Sequence, residues 1–170
     1  GTSTTTEVWG DGAGMGQYQD FGDLYLDFSA TGMTNDNVEN YVRDLEMRTG
    51  ISSVNYDYEG THYEREYFAS HPDNAVVTRL TASEKGKISF TASAQAASGL
   101  TAAASAEGGK ITLAGEVNDN QMKCEMQAQI VNEGGTVTDN ADGTVTVENA
   151  DAVTIIYSTD TDYKNEYPVY

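Results

Sequence analysis

Apolar and polar residues alternate in short runs along most of this chain. In GDLYLDF, Leu24, Leu26 and Phe28 alternate with Asp23, Tyr25 and Asp27, the period of a strand with one dry and one wet face. Gly22 opens the run, where a bulge or a close backbone approach would stand. VENYVRDLEMRTG fits two periods. Val38, Tyr41, Val42 and Leu45 make a helical stripe, whereas Tyr41, Leu45 and Met47 alternate against Asp44, Glu46 and Arg48. Strand-like runs on both sides favour the strand. SSVNYDY and THYEREYFAS flank Glu59-Gly60, a pair suited to a two-residue hairpin turn.

Further runs follow between turn signals. SHPDN is a turn, because Pro72 fixes φ while Asp73 and Asn74 bond their own backbone. AVVTRLTA and GKISFTASAQ flank SEKG, and KITLAGEV leads through NDNQ to MKCEMQAQIV, the cleanest alternation present. GTVTD, GTVTVEN and DAVTIIYST complete the series. Between Ala94 and Gly109 the Ala, Ser and Gly content weakens strand propensity, which predicts a poorly packed edge or a surface excursion. About eleven short strands at regular spacing and no long helix predict an all-β antiparallel sandwich. Residues 1–17, with their threonine run and glycines, read as a loop or tail ahead of one domain over 18–170.

Charge narrows the function classes. The 170 residues carry 27 Asp+Glu against 9 Lys+Arg, a net charge of -18. Such a surface repels phosphate backbones, which argues against nucleic acid and anionic membranes as partners. No apolar run approaches the roughly 20 residues of a membrane-spanning helix. Alternation places the single cysteine, Cys124, on one face with Met122, Met126 and Ala128, the setting of a buried inert thiol.

Candidate chemistry is sparse. GDGAGMG has the glycines of a phosphate loop but neither the strand before it nor the helix after it that a dinucleotide site needs. Glu64 and Glu66 share one strand face at about 7 Å, within the roughly 6.5–9.5 Å of an inverting acid–base pair. Arg65 lies on the opposite face, so a solvated face is the expectation and no catalytic residue is assigned. His62 and His71 lie on opposite sides of their strand and make no metal pair, so no metal site is assigned. Calcium is the one ion with candidate ligands, in the turns 118–120, 139–142 and 160–162, whose Asp and Asn are also ordinary turn residues. No cofactor is expected. Tyr18, Gln19 and Asp23, with Trp9 and Tyr25 as stacking aromatics, suit contact with a neighbouring domain or with sugar hydroxyls.

The tract YQDFGDLYLDF, residues 18–28, resembles YQPLGDLYLDF in the N-terminal β-sandwich domain of glycoside hydrolase family 95. REYFASHPDNAVVTRLTA, Arg65 to Ala82, carries the same resemblance, which runs from about Gly10 to Tyr163. Asp20-Phe21 stands where Pro-Leu is usual, and Leu45-Glu46-Met47 where Leu-Asp-Leu is. The resemblance implies a sandwich of the super-sandwich type, followed in the parent enzyme by a helical linker and an (α/α)6 barrel holding the catalytic carboxylates. It implies α-L-fucosidic hydrolysis with inversion, or α-L-galactosidic in some members, and a fucosylated glycan as substrate of a bacterial parent working outside the cell or at its surface. The expected role of this chain is non-catalytic, supporting and shaping the active-site rim. The alternative is a stand-alone carbohydrate-binding module. The start at Gly-Thr-Ser rather than Met reads as that of an excised piece.

Overall fold

A computed structural model describes residues 20–164. Twelve strands follow in order: β1 Gly22–Asp27, β2 Glu39–Glu46, β3 Ile51–Tyr58, β4 Thr61–Ser70, β5 Ala75–Ala82, β6 Ile88–Ala96, β7 Leu100–Glu107, β8 Lys110–Val117, β9 Lys123–Glu133, β10 Thr136–Asp139, β11 Val145–Ala150 and β12 Ala152–Thr161. The one helical turn among the described residues is a 3-10 turn at Ser29–Thr31. The strands form two antiparallel sheets, one of four strands ordered β1-β6-β11-β10 and one of eight ordered β2-β3-β4-β5-β12-β9-β8-β7. The all-β sandwich expected from the alternation is the observed architecture.

The alternation builds the shared interior. Leu24, Leu26 and Phe28 point inward from β1 while Asp23, Tyr25 and Asp27 stay exposed. Phe90, Ala92, Val145 and Val147 of the smaller sheet meet Leu80, Ile111, Ile130, Val153 and Ile155 of the larger one in a single buried cluster. Its residues come from six strands, so burial of this apolar surface ties local alternation to global closure.

Two backbone features set the local geometry. At Gly22, φ is +137°, and a Cβ there would lie 2.2 Å from the Gln95 carbonyl oxygen, so only glycine lets β1 run this close to β6. Glu59 and Gly60, at φ 49° and 79°, form the left-handed pair that turns β3 into β4, as the hairpin reading requires. The ambiguous 38–50 segment is a strand over Glu39–Glu46, β2, an edge of the larger sheet with every residue exposed. A register shift between Glu39 and Val42, with Asn40 at φ 51°, bulges it. The twelfth strand, beyond the eleven expected, is β7. It is the opposite edge of the same sheet, and its full register with β8 overrides the weak propensity of its alanines and serines.

Candidate functional site

Of the residues singled out for contact, Trp9, Tyr18 and Gln19 lie outside the described residues. Asp23 and Tyr25 project from the outer face of β1, where the Tyr25 hydroxyl donates to Asp23 at 3.1 Å. That bond, and the Asp23 charge itself, raise the tyrosine pKa. Asp27 accepts from the Ser29 amide at 2.8 Å, which lowers its pKa. These side chains are open to solvent and enclose no cleft.

The cleft lies on the other side of the same tract. Phe28 follows β1, and the connection through Met33 and Val38 arches over the inner face of β2, β3 and β4. Together they bound a groove of about 600 Å³. In-register pairs Arg43 with Val54, Ser52 with Tyr67 and Tyr56 with Tyr63 place these side chains on one face. Tyr56 and Tyr63 stack, with centroids 5.2 Å apart and planes 9° off parallel. The Arg65 guanidinium carbon sits 4.3 Å from the Phe28 ring centroid and 5.2 Å from that of Tyr56, and Nη2 donates to the Tyr56 hydroxyl at 2.8 Å. An arginine held between ring faces in this way is fixed in orientation as well as charge.

Glu64 and Glu66 stand on the opposite, outer face with His62, as expected, and Arg65 alone of that run turns inward. Asp57 on the same outer face accepts from Asn40 at 2.6 Å and lies 2.6 Å from Nδ1 of His62. Those two bonds, Asn40 first, lower its pKa. The Thr144 hydroxyl and amide lower that of Asp142. Among the described residues the carboxyls whose pKa is displaced, Asp27, Asp57 and Asp142, all move down, each through a hydrogen bond it accepts.

The turns offered for calcium spend their oxygens on the protein. Asp139 accepts from the Gly108 and Gly109 amides at 2.7 and 2.9 Å, Asn118 from the Thr101 hydroxyl at 2.6 Å, and Asp162 from the Lys123 amide at 2.9 Å. Among the described residues no group of three or more His, Cys, Asp and Glu gathers as a metal ion would require. Cys124 is buried beside Met126 and Ala128, and burial pushes its thiol pKa up.

Comparison with known proteins gives the family. The family described as glycosyl hydrolase family 65, N-terminal domain matches residues 1–166. This chain belongs to that family. Over 76 residues the domain is 34% identical to Alpha-L-fucosidase 2 of Arabidopsis thaliana, a match covering 45% of this chain and 9% of the plant protein. A solved structure assigned as a kojibiose phosphorylase from the human microbiome superposes with a TM-score of 0.53 at 11% identity, over 74% of this chain and 20% of that one. The latter is a likeness of fold. The N-terminal sandwich of a glycoside hydrolase, expected from the sequence tracts, is what these findings show, and the domain spans only a small part of either relative.

Arg65 is the residue of this family 65 N-terminal domain that sequence reading passed over. Its signal was present: alternation puts it on the same face as Tyr63 and Tyr67. A charged residue at an inward position marks either an ion pair or a site.

Proposed function

We propose that this chain is the non-catalytic N-terminal β-sandwich of a longer glycoside hydrolase, one that cleaves α-L-fucosidic linkages with inversion, and that its role is to support the catalytic domain and shape the rim of its active site. The identity shared with the plant fucosidase supports the substrate class, and the match to an N-terminal domain of a glycosyl hydrolase family supports a non-catalytic role.

One observation carries the docking role. On the outer face of the eight-stranded sheet, Phe68 pairs with Val77 and Val77 with Ile156, a direct cross-strand row, with Val131 on β9 beside it. Phe68, Ile156 and Val131 are 40%, 44% and 48% exposed. A contiguous apolar row at the middle of a sheet is the mark of a covered surface, since scattered single side chains would suffice for a solvated one. The salt bridge of Arg79 to Glu133, at 2.6 Å, lies on this face as a polar border. The domain that follows in the parent polypeptide is the partner this surface fits.

Phe68→Asp in the full parent polypeptide tests the reading. It should uncouple the thermal transitions of the two domains and lower fucosidase turnover, while proton NMR of the first product formed shows the inverted anomer. A single unchanged transition with unaltered turnover would remove the docking surface, and a retained anomer would remove the mechanism.

A further inference from the structure

We propose that the groove over β2, β3 and β4 is a binding site for a carboxylate-bearing sugar, held through Arg65 and Arg43. The inference stands apart from the fucosidase reading and from the outer-face docking surface.

Three observations converge on it. The chain has 27 acids and 9 cations, yet two of those cations, Arg43 and Arg65, line one groove, and neither has a carboxylate within salt-bridge distance among the described residues. Where acids outnumber bases threefold, two unpaired arginines on one groove, facing each other across Val54, are a local reversal of charge. Secondly, Nε of Arg65 is buried and lacks any acceptor. It is the one such side-chain atom found among the described residues, and a buried N–H of a charged group without a partner calls for one. Thirdly, the guanidinium is already stacked on Phe28 and bonded to Tyr56, so its remaining donors are oriented before any ligand arrives.

The rest of the lining selects the ligand class. Tyr41 and Tyr67 supply aromatic surface for the apolar face of a pyranose, and Ser52 with Asn35 supplies hydrogen-bonding groups for its hydroxyls. The volume of about 600 Å³ lies within the range of small-molecule sites, roughly 300–1,000 Å³. A carboxylate on the sugar is drawn to the guanidinium groups that Arg65 and Arg43 present to the groove, and bidentate arginine–carboxylate geometry gives the acid its preference over a neutral sugar.

The test is a heteronuclear NMR titration of the 170-residue chain with tri-galacturonate, with galactotriose and with an acetylated Glu-containing tripeptide. Tri-galacturonate should shift resonances of Tyr41, Arg43, Arg65 and Tyr67 saturably, and galactotriose should bind at least about tenfold more weakly, the loss of one charged hydrogen-bonding contact. Arg43→Ala, at an exposed position whose fold is secure, should weaken tri-galacturonate about 10-fold to 100-fold. Arg65→Lys, which keeps charge but not the fork, should do the same with the spectrum of a folded domain. Equal binding of the acidic and neutral sugars, no effect of Arg43→Ala, or no binding at millimolar tri-galacturonate would each overturn the proposal. So would tighter binding of the tripeptide, which would assign the groove to a protein segment.

Discussion

Phe90→Ala is the sharpest perturbation of the shared interior. Phe90 is 2% exposed, points from β6 into the buried cluster, and meets Phe28 at 5.4 Å between centroids with planes tilted 47°. Removing a ring that buries roughly 160 Å² forfeits about 4 kcal/mol at about 25 cal/mol/Å². That figure is an upper bound for transfer, but the cavity left behind adds to it, so the expected loss is about 3–5 kcal/mol. Against a domain stability of about 5–15 kcal/mol this is a large share. At an m of roughly 2.5 kcal/mol/M, a 4 kcal/mol loss moves the urea midpoint by about 1.5 M, read by far-UV circular dichroism. Tyr25→Ala is the control, on the neighbouring strand but facing out at 47% exposure, and should cost no more than about 0.5 kcal/mol. If Phe90→Ala costs under about 1 kcal/mol, or Tyr25→Ala costs as much as Phe90→Ala, then the alternate residues do not meet in one interior.

Other consequences are separately measurable. Gly22→Ala drives a Cβ to 2.2 Å from the Gln95 carbonyl and strains φ at +137°, so β1 should be destabilised by about 2 kcal/mol or more; a wild-type urea midpoint would show the approach is not rigid. Asp27, Asp57 and Asp142 have folded pKa values below their unfolded ones, so their stabilisation is present above about pH 4 and lost as pH falls through the lowered values. The melting temperature should therefore hold or rise from pH 7 to pH 5, as repulsion within a chain of net charge -18 relaxes, and fall below about pH 4. Asp57→Asn should flatten part of that acid limb; a limb identical to wild type would remove Asp57 from the explanation. Cys124 should resist Ellman's reagent at pH 8 until urea unfolds the domain, and rapid labelling of the native protein would contradict its burial.

Strand identity was legible wherever one face is wet. Leu24, Leu26 and Phe28 against Asp23, Tyr25 and Asp27 disclose β1 and its inward face, and Glu59-Gly60 discloses the hairpin, because both are local requirements of backbone and solvent. Strand order was not legible. β12 lies between β5 and β9, and β1 pairs with β6 across the whole β2–β5 meander, choices made by tertiary closure that no local run encodes. The Asn40 bulge escaped for a similar reason, since its register is set by β3 rather than by β2 itself. The groove was half legible. Alternation put Arg65 inward, but its stacking on Phe28, 37 residues earlier, exists only in the folded chain.

The central claim, a supporting domain whose chemistry resides elsewhere in the polypeptide, is tested most directly by activity. The 170-residue chain and the longer polypeptide containing it are each incubated with an α-L-fucosyl oligosaccharide, and free fucose is measured by chromatography. The account predicts release by the longer polypeptide and none above buffer by the 170-residue chain; fucose released by the 170-residue chain alone would contradict it.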